Sequence, residues 1–244
     1  DASQYKDYVL VVLFVKYISD RAKSGDPQLI EVPSGASFDD LVKLKGKSNI
    51  GEEFNKILNS IAEANDLDGV INVADFNDET KLGKGKDLVE TVSNLIGAFQ
   101  KPELDFVNNR ADNDDLLGDA YEYLMKNFAS ESGKSKGQFY TPSEVSRVMA
   151  KVIGIHKDTR HSLSIYDPTC GSGSLLLKAW HETLHPDSAS IFGQEKDISN
   201  VGMAKMNMVL HHNETPEILN GDTLNNPRFI HGNDLDTFEY IVAN

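Results

Sequence analysis

Ser164-Ile165-Tyr166-Asp167-Pro168-Thr169-Cys170-Gly171-Ser172-Gly173-Ser174, running on into Leu175-Leu176-Leu177, is the stretch whose reading decides the fold. It opens as a short apolar β-type run, reaches an acid, turns on two closely spaced glycines and continues as a helix. In an α/β sheet that junction lies at the carboxyl end of a strand, where ligands bind. Glycine lets a ligand lie against bare backbone, and the helix that follows offers unpaired N–H groups. The stretch predicts a cofactor cleft.

Downstream, strand-like runs alternate with helices. Leu163 to Asp167 is followed by a helix from Ser174, Ala189 to Glu195 by a helix from Ser199 to His211, and then come Glu217 to Gly221 and Phe238 to Ala243. Such alternation implies a parallel sheet with crossover helices. Just upstream, Thr141-Pro142-Ser143-Glu144 reads as an N-cap, a proline at the first helical position and an acidic first turn, opening a helix that runs to about Ile153. The polar, Gly/Ser-rich stretch Ala129 to Gly137 is the expected domain boundary. Before it, helical periodicity recurs over residues 5–22, then, after a polar break with Gly25 and Pro27, a capped start at Ser37-Phe38-Asp39-Asp40-Leu41 and the segments 51–65, 87–99 and 113–128. The expectation is therefore an all-helical domain over residues 1–132 followed by an α/β domain over 133–244. The latter has a Rossmann-like sheet and, because the sequence stops at the end of a strand, reads as cut short on its C-terminal side.

The bulk properties narrow the function. The 244 residues carry 24 basic and 38 acidic side chains, a net charge of −14. A protein that grips nucleic acid unaided usually shows a basic face, so any such grip is expected to come from a partner. No apolar run reaches membrane-spanning length, and the run Val9 to Val15 has no signal-peptide cleavage pattern, so neither a membrane nor export is expected. The single cysteine, Cys170, excludes an internal disulfide and a thiolate metal cluster and suits a reducing cytoplasm.

Four strand ends line up as candidate walls of the cleft. The first carries Asp167 and the Gly171/Gly173 turn. The second ends in Glu195, placed to accept hydrogen bonds from ribose hydroxyls. The third leads into Asn220-Gly221-Asp222-Thr223, where a carboxylate can accept from an adenine amino group. The fourth leads to Asn244. A dinucleotide fingerprint would place a third glycine at position 176, which is leucine. Its absence, with acids around the turn, disfavours a phosphate-rich cofactor and favours a cationic adenosine compound, of which S-adenosylmethionine is the obvious one. A sulfonium donor needs no metal.

His181-Glu182-Thr183-Leu184-His185 matches the H-E-x-x-H zinc signature, but it falls at the end of a helix before Pro186, away from the glycine turn, with no further ligand following. Trp180 reads as core, His211-His212 as a helix end, Asp112 to Asp115 as an acidic helix start, and Lys134 and Lys136 as solvated linker charges.

The blocks Gly137-Gln138-Phe139-Tyr140-Thr141-Pro142, Asp167-Pro168-Thr169-Cys170-Gly171-Ser172-Gly173, Gly193-Gln194-Glu195, Gly221-Asp222-Thr223-Leu224 and Val242-Ala243-Asn244 together resemble adenine-N6 DNA methyltransferases of the γ-type motif order. The nearest likeness is to the modification subunit of type I restriction–modification systems. The segment Lys6 to Asp20 looks like that family's helical N-terminal domain, so the resemblance covers nearly the whole chain. It implies S-adenosylmethionine contacts from Gln138, Phe139, Tyr140, Thr141, Pro142 and Ser143, from Asp167, Pro168, Gly171, Ser172, Gly173 and Ser174, and from Glu195, Asp222 and Leu224. Asn244 would open an Asn-Pro-Pro-aromatic catalytic motif. The resemblance also implies double-stranded DNA as substrate, a DNA-specificity subunit and a nuclease subunit as partners, two modification subunits per complex, and a cytoplasmic location. Two rival classes stay open: a methyltransferase of the same fold acting on RNA or a protein amide, and a non-catalytic interaction module.

Overall fold

The computed structural model describes residues 5–24, 30–65, 67–69, 71–105, 121, 123, 124, 126, 141–211 and 216–244. The chain divides into two units, Asp1–Asp119 and Ala120–Asn244.

In the first unit, α1 (Lys6–Ser24) carries Leu10, Val11, Val12, Leu13, Phe14 and Val15 in succession, all of them buried. A helix apolar around its whole circumference is an interior helix. The next, α2 (Phe38–Val42), starts on a reciprocal cap: the Ser37 hydroxyl accepts from the Asp40 N–H, and the Asp40 carboxylate accepts from the Ser37 N–H at 3.0 Å. Ser19 of α1 accepts the Phe38 N–H at 2.8 Å and ties the two helices together. α3 (Ile50–Ala64), α4 (Glu79–Leu82) and α5 (Lys86–Ala98) follow. Phe54, Leu58 and Ile61 of α3 and Leu88, Val92 and Ile96 of α5 are buried, at the spacing their periodicity predicts. Phe54 stacks on Phe76 with ring centroids 3.6 Å apart, and Tyr8 meets Phe76 edge-on at 5.1 Å.

Most of the expected helix over 113–128 and the linker 129–137 lie outside the described residues; residues 121, 123, 124 and 126 are helical. Tyr121 is fully buried and donates its hydroxyl to the Met203 carbonyl at 2.8 Å, within the second unit. No helix among the described residues is long and apolar enough to cross a membrane.

The second unit contains α6 (Ser143–Val152), β1 (Ser164–Asp167), α7 (Ser174–His181), β2 (Ser190–Glu195), α8 (Ile198–Leu210), β3 (Glu217–Asn220), a two-stranded pair β4 (Ile230–His231) and β5 (Asp234–Leu235), and β6 (Tyr240–Ile241). β1, β2, β3 and β6 form a parallel sheet in the order β3-β2-β1-β6. β1 lies between β2 and β6, and its side chains alternate between a buried face (Ile165, Asp167) and a half-buried one (Ser164, Tyr166). On one face Ile165, Ile191 and Ile218 join the core with Leu176, Ala179 and Trp180 of α7 and Ala204 and Met208 of α8. On the other, Tyr166 stacks on Phe238 at 4.5 Å, while Phe229 meets Tyr166 and Phe192 edge-on at 5.2 and 5.7 Å.

Four details differ from the sequence reading. α6 starts at Ser143 with Pro142, not Thr141, at the cap position; the Pro142 carbonyl accepts the first helical bond from Ser146 at 3.0 Å, and no side chain caps this end. The fourth strand is shorter than Phe238–Ala243, although the Val242 N–H still reaches the Tyr166 carbonyl at 2.9 Å. The β4–β5 pair has no counterpart among the expected strands: all four residues are exposed, so they carry no apolar alternation. Finally, α7 ends at His181 with Glu182 as its C-cap, so His181 and His185 do not share a helix face. His185 instead stacks on His161 at 3.9 Å, and no group of three or more metal-ligating side chains gathers among the described residues.

Candidate functional site

The glycine turn is built by its neighbours. Asp167 lies opposite Gly193 at the end of β1 and is 2 % exposed. Its carboxylate accepts the Thr169 N–H at 2.9 Å, which turns the chain sharply off the strand. The Cys170 N–H then reaches the Gln194 carbonyl at 3.0 Å, and Gly173 N–H returns to the Cys170 carbonyl at 2.7 Å. Gly173 takes φ +77°, and a Cβ there would stand 2.8 Å from Met208 Cε and 3.4 Å from Ala204 Cβ. The positive φ favours glycine at this position, where α8 packs close by. Asn207 of α8 donates to the Ser172 carbonyl at 3.1 Å, and the Ser172 and Ser174 hydroxyls lie 2.9 Å apart, both buried.

Glu195 joins this turn to the second strand end. One carboxylate oxygen accepts the Gly171 N–H at 2.9 Å and the other accepts the Asp197 N–H at 2.8 Å. Asp197 in turn caps α8. At the third strand end, Asp222 accepts from the Lys196 ammonium at 2.9 Å and from the Leu224 N–H at 3.1 Å. The Lys196 contact, followed by Asn225 contacts, holds the Asp222 carboxyl down at about 2. Thr223 donates its hydroxyl to the Pro168 carbonyl, so the third strand end is tied directly to the first. Beyond β6, Asn244 donates from Nδ2 to Thr141 Oγ1 at 3.2 Å.

The structure thus links Asp167, Pro168, Gly171, Ser172, Gly173, Ser174, Glu195 and Asp222 through one hydrogen-bonded system, and pairs Thr141 with Asn244. Leu224 is 92 % exposed at the tip of its turn. Pro142 is exposed and Ser143 half-buried at the start of α6, while Gln138, Phe139 and Tyr140 lie outside the described residues. Three side chains with structural consequences were not singled out from the sequence: Gln194, Thr223 and Asn207. Asn207 is a polar residue between Met206 and Met208 in a largely apolar run, and that is the signal by which it could have been found.

The electrostatics suit a cation rather than a phosphate. Burial pushes the Asp167 carboxyl up to about 7, against the lowering effect of the Thr169 N–H and with a further push from the Glu195 charge. Burial likewise drives the Cys170 thiol well above its ordinary range, so it is no nucleophile. Three acids stand at consecutive strand ends, and the Lys196 ammonium is bound to one of them, Asp222. A buried carboxyl that resists ionisation gains from a nearby positive charge, and strand-end carboxylates suit hydroxyl and amino donors. The residues present fit an adenosine cofactor with a positive side chain.

Comparison with known proteins places the chain among characterised families. The N-6 DNA methylase family model matches residues 112–244, and the HsdM N-terminal domain model matches residues 1–99. The chain is 35% identical over 182 residues to the type I restriction enzyme MpnII methylase subunit of Mycoplasma pneumoniae, covering 70% of this chain and 32% of that protein. It is 33% identical over 214 residues to the MjaVII methylase subunit of Methanocaldococcus jannaschii, covering 82% of this chain and 35% of that one. It thus spans about a third of the length of these curated relatives. Among solved structures, the type I restriction-modification system methyltransferase subunit from Streptococcus thermophilus superposes with a TM-score of 0.78 at 26% identity, covering 100% of this chain and 58% of that one.

Proposed function

The chain belongs to the N-6 DNA methylase family, and from that premise we propose that it forms part of the modification subunit of a type I restriction–modification complex. The reaction is transfer of a methyl group from S-adenosylmethionine to the N6 amino group of adenine in double-stranded DNA. The observation that carries this reading is the convergence of Asp167, Glu195 and Asp222 at neighbouring strand ends around the Gly171–Gly173 turn, with Asn244 beyond the fourth.

Asp167 would face the positive methionine end of the cofactor, Glu195 its ribose hydroxyls, and Asp222 its adenine amino group. Glu195 already accepts one backbone N–H on each oxygen, and each oxygen keeps a lone pair for a hydroxyl. The block Gln138 to Ser143 would close over the cofactor. When bound, S-adenosylmethionine supplies a methyl group already activated by its sulfonium charge.

The remaining difficulty lies in the acceptor. Adenine N6 is a poor nucleophile because its lone pair is delocalised into the ring. The Asn244 side-chain oxygen, with a neighbouring backbone carbonyl, would accept both N6 protons and favour a pyramidal nitrogen, a positional and electrostatic effect. The base must leave the duplex to reach it, at a cost on the order of a few kcal/mol. With a net charge of −14, the chain would leave most of the DNA grip to a separate specificity subunit. A nuclease subunit and a second modification subunit would complete the complex, and the helical N-terminal domain would contact DNA or these partners.

Calorimetric titration of the full-length protein with S-adenosylmethionine tests the reading. Saturable binding, weakened about tenfold or more by Asp222→Ala, is expected. A folded protein that does not bind the cofactor would overturn it.

A further inference from the structure

The turn that carries Asp222 is held by a side chain outside the set of cofactor contacts. Gln194, on β2, is fully buried. Its Nε2 donates to the Asn226 carbonyl at 2.9 Å, and its Oε1 accepts the Arg228 N–H at 2.9 Å. One of these backbone partners can only accept and the other can only donate, so the amide has a single orientation. The same turn closes on Gln194 a third time at Gly221, where a Cβ would stand 3.0 Å from Nε2 and 3.1 Å from the Asn226 carbonyl oxygen. Glycine at that position is what lets the chain leave β3 directly against the amide.

The main chain of Gln194 faces the other way. Its carbonyl accepts the Cys170 N–H at 3.0 Å, within the turn that begins at Asp167. One residue therefore grips both turns, by backbone on the Asp167 side and by side chain on the Asp222 side, and Glu195 follows it in sequence. Around Asp222 itself Leu224, Asn225 and Asn226 are exposed, and the Lys196 partner is a surface side chain. Gln194 and the Thr223 hydroxyl on Pro168 anchor the far side of this turn, while the Gly221 N–H on the Glu195 carbonyl at 2.9 Å and Asn220 Nδ2 on the Glu195 and Lys196 carbonyls hold its start.

We infer that Gln194 is a positioning residue of the cofactor site: it sets the spacing between the Asp222 turn and the Asp167–Gly173 turn, and acts on cofactor binding through Asp222. The inference rests on the cofactor reading above. An amide that merely stabilised the fold would lower stability without any link to Asp222. A positioning amide loses its effect on the cofactor once the carboxylate it positions is gone.

The test is a double-mutant cycle on the full-length protein, read by calorimetric titration with S-adenosylmethionine and by amide hydrogen exchange over residues 222–228. Gln194→Met is expected to weaken binding about tenfold in the wild-type background, but no more than about twofold in an Asp222→Asn background. Exchange over the turn should rise. Equal losses in both backgrounds, or unchanged exchange, would overturn the assignment. Gln194→Glu covers the case in which Gln194→Met does not fold. The introduced carboxyl donates and accepts like the amide while neutral, and once ionised it has no proton for the Asn226 carbonyl. Its affinity relative to wild type should be close to one near pH 5 and fall toward pH 9; a ratio that does not change with pH contradicts the assignment. If folded wild-type protein binds no S-adenosylmethionine, the cofactor reading fails; if it binds and the losses are additive, only the role of Gln194 fails.

Discussion

Asn244 donates from Nδ2 to the hydroxyl oxygen of Thr141 at 3.2 Å, joining the last residue past β6 to the residue that precedes the N-terminus of α6. A donor engaged on Thr141 leaves the amide oxygen as the acceptor for an incoming amino group. In the full-length complex, Asn244→Ala should lower kcat by about a hundredfold or more, with the S-adenosylmethionine Kd within about twofold of wild type. Thr141→Val should lower kcat about tenfold, and Thr141→Ser should restore it. Single-turnover methylation and calorimetry, run on the same preparations, separate the two effects.

Asp167 makes a prediction about pH. Its ordinary value is 3.8, and burial first, opposed by the Thr169 N–H and aided by the Glu195 charge, pushes it up to about 7. Between these values the folded protein holds a proton that the unfolded chain has released. Stability should therefore fall as pH rises from about 4 to about 7, and Asp167→Asn should flatten that slope. Urea unfolding at a series of pH values measures it, and a slope of the opposite sign would count against the buried carboxyl.

The same group links the cofactor to protons. A cation bound beside Asp167 favours the carboxylate, so binding of S-adenosylmethionine near pH 6 should release protons, and affinity should rise toward pH 8. Calorimetry in buffers of different ionisation enthalpy counts the protons directly. Uptake in place of release would mean that the positive end of the cofactor does not meet Asp167.

Gly173→Ala should be destabilising because its φ of +77° is a left-handed conformation that alanine adopts only at a cost, whereas Met208 Cε, 2.8 Å from the added Cβ, is the free end of a flexible side chain and can give way. A loss of about 1–3 kcal/mol in urea unfolding is expected. Unchanged stability would show that the turn tolerates a side chain at this backbone conformation.

Much of this architecture is legible in the residues. Phe54, Leu58 and Ile61, or Leu88, Val92 and Ile96, mark helix faces by spacing alone, and the step from Ile165-Tyr166-Asp167 into Gly171 and Gly173 marks a strand end and turn. Ser37 and Asp40 announce their cap because both partners are local. What could not be read depends on contacts distant in sequence. Gln194 is a polar residue in a strand until Asn226 and Arg228 come round to it, and Thr141 looks like a helix cap until Asn244 takes its hydroxyl. His181 and His185 have the spacing of a helical pair, yet the helix stops between them, so spacing without the helix misleads. Gln138, Phe139 and Tyr140 owe their reading to family likeness, since neither periodicity nor turn chemistry gives those residues a role.

The most direct measurement of the central claim is mass spectrometry of nucleosides from duplex DNA incubated with the full-length protein, its DNA-specificity partner and methyl-labelled S-adenosylmethionine. The account predicts label in N6-methyladenine, lost with Asn244→Ala. Label on cytosine, on RNA or on a protein glutamine, or no labelled product from protein that binds the cofactor, would contradict it.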